Sequence, residues 1–274
     1  MQTAHSSFAQ LEHDGWERVA NQYESVWSSL TKKYIEPLLN SIGEIKGMKL
    51  LDVACGPGYV SDAALHKGAH PTGIDFSKEM ISIAKKKYPE VEFIVGDAQS
   101  LPFTIESFDC VAMNFGLLHL PDPDQALREA NRVLKNEGRF GFTVWAPPEI
   151  SDGSRMMRNA IEKFGNMNVD LPESPPYFRF CDEDEAGMAL VAAGFDESSV
   201  KFETRTVHWQ VPTDTFLFDA ELNAGVRTAA LLARQDSVQL EAIRHDVKLS
   251  MEKYRVKSGY DVPYSAHIIT AAKK

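Results

Sequence analysis

The chain has 274 residues, of which 43% are hydrophobic and 25% charged, a composition that excludes fibrous and disordered proteins. Asp and Glu number 39 against 29 Lys and Arg, and the formal net charge of −10 disfavours nucleic-acid binding, because an acidic surface repels phosphates. We find no long apolar run, no basic and apolar leader and no paired cysteine motif, and therefore expect a cytoplasmic protein without membrane insertion, disulfide framework or metal site.

The first 44 residues predict a helical cap. Trp16, Ala20, Tyr23 and Trp27 follow one another at spacings of four, three and four, which places them on one face of a helix. A second helical stretch is predicted from about residue 30 to residue 42. We expect residues 1–44 to pack as a cap against the domain that follows.

Residues 45–146 alternate between short apolar runs and amphipathic stretches, a pattern typical of a parallel sheet with helices on both faces. The predicted strands are 50–53, one that ends at 73–75, 91–95, 108–113 and 139–145. Two of the intervening helices have clear start signals, since Ser77 should cap one of them and Asp122 or Asp124 the other. The second of these helices should end at Gly138. We interpret this segment as a cofactor-binding α/β core.

The alternation is interrupted after Trp145. Residues 147–181 contain five prolines and predict an irregular lid or substrate segment with one helix. Residues 182–212 return to a helix and a strand of the core, and 213–258 predict a helical insertion. Residues 259–274 complete the core, with the final strand predicted from Ala266 to Ala272. The expected fold is a doubly wound, mostly parallel α/β sheet with a helical N-terminal cap and helical insertions.

The loop after the first strand carries the strongest functional signal. Gly56 and Gly58 allow a tight turn and a close approach of a ligand to the backbone just before a helix. Asp75, 19 residues after Gly56, ends the second strand, where a carboxylate can accept both hydroxyls of a ribose. Asp97 ends the third strand in the same way. Because ligands of such sheets bind at the carboxyl ends of the strands, Asp52, Asp75 and Asp97 should converge on a single ligand.

Two kinds of ligand can be compared at this loop. A nicotinamide cofactor places its pyrophosphate at the turn and favours a third glycine or alanine, where this chain has Ser61. The carboxylate of Asp52 would repel a pyrophosphate but attract a cation. S-adenosylmethionine carries an ammonium, a sulfonium and a ribose, so it suits the acids better. A nicotinamide-dependent oxidoreductase is the alternative.

Five sequence blocks resemble, in order and spacing, the core of class I S-adenosylmethionine-dependent methyltransferases. The likeness is greatest to the type 11 small-molecule subgroup, typified by ubiquinone and menaquinone biosynthesis enzymes. The blocks are LLDVACGPG (50–58), GIDFSKEM (73–80), GDAQSLPF (96–103), FDCVAMNFGLLHLPD (108–122) and REANRVLKNEGRF (128–140). The resemblance implies a seven-stranded Rossmann-like sheet and methyl transfer.

Two positions depart from the pattern of this family. Asn136-Glu137 stands where the family commonly has Pro-Gly, which affects only a turn. Asn114-Phe115-Gly116 stands where many nucleic-acid amine methyltransferases have Asn-Pro-Pro followed by an aromatic residue. The second departure weakens the alternative of protein or nucleic-acid methylation.

The resemblance also implies roles for the residues at the strand ends. Gly56 and Gly58 would flank the methionine part of S-adenosylmethionine, whose product is S-adenosylhomocysteine. Asp75 would hold the ribose hydroxyls, and Asp97 would bind the adenine amino group. The further cofactor-binding candidates are Tyr23, Asp52, Ala54, Phe76 (on the adenine), Met80, Ala98 and Asn114 (near the methionine part). In structural alternatives, Asp75 would cap a helix, Asp97 would be a surface turn residue and Tyr23 would only pack its helix.

His119 is the catalytic candidate. It follows the fourth predicted strand, on the loop that brackets the transferring methyl group in this fold. An imidazole titrates near neutral pH and can accept or steer the proton of an acceptor. In the alternative, His119 braces the turn at 121–123 and has no chemical role.

The acceptor is harder to predict than the cofactor. Methyl transfer from a sulfonium is an in-line displacement that needs alignment and exclusion of water, but no fixed catalytic triad. The aromatic residues of the variable parts predict a small apolar or aromatic acceptor: Trp145, Tyr177, Phe178, Phe180, Trp209, Phe216 and Phe218. Residues 177–180 would form a lid or anchor their loop. A non-catalytic S-adenosylmethionine-binding protein is another alternative, and monomer and homodimer both stay open.

Overall fold

A computed structural model describes residues 4–274 of the chain. Its sheet consists of β1 (Lys49–Val53), β2 (His70–Asp75), β3 (Glu92–Val95), β4 (Phe108–Asn114), β5 (Leu134–Trp145), β6 (Lys201–Val211) and β7 (Tyr260–Ala272). The seven strands lie in the order β3-β2-β1-β4-β5-β7-β6. The first five pair in parallel, and β7 runs antiparallel to β5 and β6. The strand order reverses between β1 and β4, which is where such sheets bind ligands.

Helices cover both faces of this sheet. Within the described residues the α-helices are α1 (Ala4–Tyr23), α2 (Ser28–Thr31), α3 (Ile35–Ile42), α4 (Tyr59–His66), α5 (Lys78–Lys87), α6 (Pro123–Val133), α7 (Asp152–Phe164), α8 (Glu183–Ala192), α9 (Phe216–Ala224), α10 (Arg227–Leu232) and α11 (Ser237–Met251). None of these helices combines the length and the apolar character that a bilayer crossing requires.

The central strands are buried on both sides. Leu51 and Val53 of β1 pack into a core cluster with α6 and α8, whereas Leu50 packs into another cluster with α3 and α4. Successive side chains of a strand point to opposite faces, so this alternation confirms the doubly wound arrangement. The sheet thus offers its carboxyl-end loops, and not its faces, to a ligand.

Most helix starts agree with the sequence prediction. Ser77 accepts a hydrogen bond from the backbone of Met80 at 3.1 Å and caps α5. Asp122, and not Asp124, caps α6 by accepting from the backbone of Gln125 at 2.9 Å. The predicted end of α6 at Gly138 is wrong. Leu134 is fully buried and already extended at the start of β5, so the helix ends at Val133.

The C-terminal part differs more from its prediction. The stretch 213–258 contains α9, α10 and α11, with Asp236 forming a capping box at the start of α11. The last strand begins at Tyr260, six residues before the predicted Ala266. Pro263 obscures this extension because proline cannot donate to a sheet ladder. It is tolerated here since the pairing of β7 with β5 stops at Ala266, and only β6 lies beside Pro263.

Candidate active site

A cavity of about 960 Å³ opens at the carboxyl ends of β1 to β4, under a cover formed by α1, the 147–181 segment, α9 and α10. Ten of the twelve predicted site residues line it, and Asp52 and Gly58 do not. The ten are Tyr23, Ala54, Gly56, Asp75, Phe76, Met80, Asp97, Ala98, Asn114 and His119. Across the described residues, no three His, Cys, Asp or Glu side chains are grouped so that they could hold a metal ion.

We use the term strand-end rim for Ala54, Gly56, Asp75, Asp97 and Asn114. Ala54 has φ +53°, an unusual value for a residue with a side chain, which surrounding structure must stabilise. Gly56 has φ +51°, and a Cβ built on it would meet no atom of residues 4–274 within 4 Å. The backbone of Gly56 therefore borders open space, which allows a ligand to approach it closely.

Asp75 is the buried carboxylate of the rim. It is 6% exposed, with Oδ2 accepting from the backbone of Gly56 at 2.8 Å and Oδ1 accepting from the backbone of Ser77 at 2.9 Å. Burial raises the pKa of Asp75 to about 6, although these hydrogen bonds oppose the shift. Each oxygen can accept a further hydrogen bond. Helix capping is left to the Ser77 side chain, so Asp75 is available to a ligand.

Asp52 and Gly58 are the two predicted site residues that do not line the cavity. Asp52 is 1% exposed, and its Oδ2 accepts from the Ser61 backbone at 3.0 Å and from the Ser61 hydroxyl at 2.7 Å. Burial raises the pKa of Asp52 to about 7. Gly58 has φ +85° at the start of α4, and an added Cβ would lie 2.6 Å from the Phe93 ring. Both residues therefore hold the turn between β1 and α4 together.

Cys55 lies in the same turn and is buried. Burial raises the pKa of its thiol, and the negative charges of Asp52 and Asp75 raise it further. A thiol in this environment keeps its proton at neutral pH, which makes it a poor nucleophile. Cys55 is thus a small packing residue beside the rim.

The far end of the rim is more open. Asp97 is exposed, and its Oδ1 accepts from the backbone of Gln99 at 2.8 Å, the geometry of a turn residue. The same carboxylate lines the cavity, so its turn role leaves it accessible to a ligand. The Phe76 ring lies beside His13 of α1, with 5.6 Å between the ring centroids. Asp97 and Phe76 thus combine an acceptor with an aromatic surface.

Asn114 is fixed from the neighbouring strand. Its Oδ1 accepts from the Thr143 hydroxyl at 2.7 Å, and that hydroxyl oxygen in turn accepts from the backbone of Phe115 at 2.8 Å. Phe115 has φ +60°, so the chain turns sharply after β4. An added Cβ on Gly116 would lie 2.5 Å from the Cβ of Ala54, which shows how closely the two rim loops approach each other.

His119 is held by the first helix. Its Nδ1 lies 3.0 Å from Oε2 of Glu12, which is 1% exposed and also accepts from the Trp16 indole at 3.2 Å. The Trp16 ring lies edge-on to the His119 ring at 4.9 Å. The side-chain partner of His119 is therefore on α1 and not in the turn at 121–123. Sequence reasoning missed Glu12, whose signal was a carboxylate in the helical stripe of Phe8 and Trp16.

Tyr23 ends α1 and lines the cavity from above. Its hydroxyl lies 2.9 Å from the Thr31 hydroxyl, and its ring lies edge-on to Trp16 at 5.8 Å. Burial raises the pKa of Tyr23 to about 12, so it stays neutral. Tyr23 therefore both packs against Trp16 and lines the cavity.

We use the term aromatic chamber for the part of the cavity lined by Phe115, Trp145, Tyr177, Glu221 and Tyr264. The Phe115 and Trp145 rings are stacked at 4.0 Å, and Trp145 meets Tyr264 edge-on at 5.7 Å. Burial raises the pKa of Glu221 to about 7. No sequence motif identified Glu221 or Tyr264, because both lie outside the five blocks.

The lid segment is tied to the loop after β4 by Arg227 of α10. Its guanidinium donates to the backbone carbonyl of Leu118 at 3.2 Å and to the Ser174 hydroxyl at 2.7 Å. It also lies 5.1 Å from the ring centroids of both Phe8 and Tyr177. One half-buried cation thus connects the lid segment, α1 and the loop after β4.

Within residues 177–180, one aromatic side chain lines the cavity and another packs into the core. Tyr177 lines the cavity, whereas Phe180 is 4% exposed and packs into the core beside α8. Arg179 pairs with Asp124 at 2.7 Å and with Glu185 at 3.0 Å. The segment therefore both lines the cavity and is anchored to the core.

Comparison with known proteins gives agreeing results. The family model described as a methyltransferase domain matches residues 51–142. The demethylmenaquinone methyltransferase of Renibacterium salmoninarum is 35% identical over 181 residues, which cover 62% of this chain and 76% of the relative. That of Bacillus licheniformis is 30% identical over 207 residues, or 70% of this chain and 89% of the relative.

Solved structures show the same fold. A Bacillus halodurans protein assigned provisionally to the methyltransferases has a TM-score of 0.55 at 20% identity, covering 88% of this chain and 99% of that one. The matched family domain contains the glycine turn and the acids of the rim. The nicotinamide alternative thus has no support. The chain belongs to the class I S-adenosylmethionine-dependent methyltransferases, as an enzyme that methylates a small molecule with S-adenosylmethionine.

Proposed function

We propose that the strand-end rim holds S-adenosylmethionine. Asp75 accepts the two ribose hydroxyls, Asp97 accepts the adenine amino group, and Asn114 lies near the methionine part. The ring of Phe76, with Met80 and Ala98, packs on the adenine. The proposal is supported by the acceptor atoms of Asp75. Both of its oxygens can accept a further hydrogen bond, and they lie beside the open face of Gly56.

The proposed acceptor is a small apolar or aromatic molecule that enters the aromatic chamber. One observation carries this proposal: a single cavity of about 960 Å³ joins the rim to the stacked rings of Phe115 and Trp145. Aromatic walls favour flat apolar ligands through area burial and ring contacts. The relatives named demethylmenaquinone methyltransferases also point to a ring-containing acceptor.

S-adenosylmethionine supplies, when bound, a methyl group on a positively charged sulfur. The protein aligns the acceptor with that group and keeps water out, for which α1 forms the cover with Trp16 and Tyr23. The Glu12 carboxylate holds Nδ1 of His119, so Nε2 is the nitrogen that receives or steers the acceptor's proton. Substrate-dependent proton transfer at His119 is part of this proposal.

A reducing, cytoplasmic location is proposed from the thiols. Cys55 and Cys110 are buried, Cys181 is half-buried, and none of the three forms a disulfide. Free thiols of this kind are typical of reducing compartments. The proposal covers a monomer or a homodimer.

Calorimetry with S-adenosylhomocysteine tests the rim. We expect saturable binding with one ligand per chain, and no comparable binding of a nicotinamide dinucleotide. Hydrogen exchange should show stronger protection of residues 12–30 in the complex, since α1 covers the cavity. Absence of S-adenosylhomocysteine binding by the folded chain would contradict the rim assignments, and equal protection in both states would reduce α1 to a packing helix.

A further inference from the structure

The aromatic chamber contains two polar side chains that cofactor binding does not use. Tyr264 is 3% exposed, and its hydroxyl has no hydrogen-bond partner among the described residues. Glu221 of α9 lines the same cavity. Because a buried hydroxyl without a partner costs free energy, it is expected to have a partner in some functional state.

The chamber adjoins the strand-end rim. Phe115 directly follows Asn114 of the rim and stacks on Trp145 at 4.0 Å. Trp145 in turn meets the ring of Tyr264 at 5.7 Å. Two ring contacts thus separate the Tyr264 hydroxyl from the loop that borders the cofactor region.

The carboxylate of Glu221 lies beside Gly225, the residue that follows the last residue of α9. A Cβ built on Gly225 would lie 3.1 Å from Oε2 of Glu221, so the missing side chain at Gly225 leaves room for the carboxylate. Burial, and after it the negative charge of Glu221, raises the pKa of both Tyr177 and Tyr264. The three side chains therefore share one electrostatic environment.

We propose that Glu221 and Tyr264 bind a hydroxyl group carried by the aromatic acceptor. Glu221 accepts the hydroxyl hydrogen, and Tyr264 donates its own hydrogen to the hydroxyl oxygen. The acceptor class is thereby narrowed to phenols and related hydroxylated rings. This inference rests on the proposed function, because it assigns a specificity-determining pair within the proposed acceptor site.

The pair also gives the hydroxyl preference a pH dependence. Burial raises the pKa of Glu221 to about 7, and a hydrogen bond with Thr228 opposes part of that shift. The carboxylate is the stronger acceptor, so preference for the hydroxyl falls as the pH drops through 7. The charged or titratable groups that line the cavity from neighbouring elements include Glu12 and Tyr23 of α1, His119, Arg158 of α7, Tyr177, Arg227 and Tyr264. A Glu221 variant separates its contribution from theirs.

The test compares two probes of similar shape, 2-naphthol and 2-methylnaphthalene. Their binding is measured by equilibrium dialysis against the full chain saturated with S-adenosylhomocysteine, between about pH 5.5 and pH 8. For the unaltered protein at pH 8 we expect 2-naphthol to bind about tenfold more tightly, as a hydrogen bond to a charged group provides. Glu221→Gln and Tyr264→Phe should each reduce this ratio to about threefold or less. Glu221→Gln should also remove its pH dependence.

Asp219→Asn is the matched control, because it makes the same charge change on the exposed side of α9, where Asp219 faces Arg244 at 3.6 Å. It should keep the ratio and the pH dependence of the unaltered protein. If Glu221→Gln keeps them too, with S-adenosylhomocysteine binding intact, the inference is overturned while the proposed rim stands. Failure of S-adenosylhomocysteine to bind the unaltered chain overturns the rim assignments, and the inference with them. Failure of both probes to bind the saturated protein overturns the inference alone.

Discussion

The strand-end rim and the aromatic chamber face the same cavity but are built in opposite ways. The polar side chains of the rim are fixed by short-range hydrogen bonds, as between Asp75 and the backbone of Gly56 and Ser77. The chamber is aromatic, and its walls come from segments more than 100 residues apart, as with Phe115 and Tyr264. Its few polar groups include the Tyr264 hydroxyl, which has no hydrogen-bond partner in the part of the chain that the structure describes.

Under the proposed function, the rim determines affinity for the cofactor and the chamber determines which acceptor is bound. A preorganised carboxylate loses little freedom when it binds a ligand, so the rim is suited to tight binding of one invariant molecule. The chamber relies on apolar area and on a few polar groups, which select among molecules of similar shape. Substitutions in the rim should therefore change cofactor binding, and substitutions near the chamber should change acceptor use.

The largest expected effect is that of Asp75→Ala on cofactor affinity. If Asp75 accepts hydrogen bonds from both ribose hydroxyls, as proposed, its removal should weaken S-adenosylhomocysteine binding by about 2–4 kcal/mol, since charge-assisted hydrogen bonds exceed neutral ones. Calorimetry measures the change directly. Glu92→Ala, an exposed acid at the opposite end of β3, is the control and should bind normally. Unchanged affinity in folded Asp75→Ala would remove Asp75 from the ribose site.

His119→Ala should give the converse result. Loss of the imidazole should lower turnover by roughly 100-fold, while affinity for S-adenosylhomocysteine stays nearly intact. Turnover is measured once an acceptor is known, and Glu12→Gln should shift its pH profile because Glu12 holds Nδ1. A lower melting temperature with turnover per folded molecule preserved would indicate a bracing role instead.

The contrast between the two regions also explains what the sequence could predict. Glycine turns and strand-end acids follow one another within short strand–loop–helix units, so the position of Gly56, Asp75 and Asp97 at one edge of the sheet could be predicted from spacing and resemblance. Glu221 and Tyr264 line the same cavity only because of tertiary packing, and no local pattern connects them. Spacing alone also cannot give the direction of a side chain within a turn.

Asp52 shows that spacing alone does not give the direction of a side chain within a turn. The expectation of a direct role with a cationic ligand rested on its place before the glycine turn. In the structure, the Ser61 hydroxyl and backbone attract its carboxylate to the start of α4. The same Ser61 served, in the sequence, only as a sign against a nicotinamide cofactor. Its contact with Asp52 depends on how β1 and α4 pack.

The pH dependence of cofactor binding tests whether the rim acts through the charge of Asp75. Burial raises the pKa of Asp75 to about 6, and the charged form is the better acceptor for ribose hydroxyls. Affinity for S-adenosylhomocysteine should therefore fall by about tenfold from pH 7 to pH 5, where most Asp75 is protonated. Without ligand the sign for stability is opposite: a raised carboxyl pKa means that the folded state loses stability as the pH rises toward 6. Asp75→Asn should flatten the binding curve, and a curve unchanged by that substitution would assign the effect to another group.

The smallest expected effect is that of Asp97→Asn, which compares two acids within the rim. Unlike Asp75, Asp97 is exposed, and solvent screens its charge. Asparagine keeps an oxygen that can accept from Gln99 and from an adenine amino group, and only the charge is lost. We therefore expect S-adenosylhomocysteine affinity to fall by about 1 kcal/mol, or roughly fivefold, in calorimetry. A loss of affinity as large as that of Asp75→Ala would mean that burial does not determine how much each rim carboxylate contributes to cofactor binding. Unchanged affinity in both Asp97→Asn and Asp97→Ala would leave Asp97 as a turn residue only, because neither its charge nor its acceptor oxygens would then contribute to the bound state.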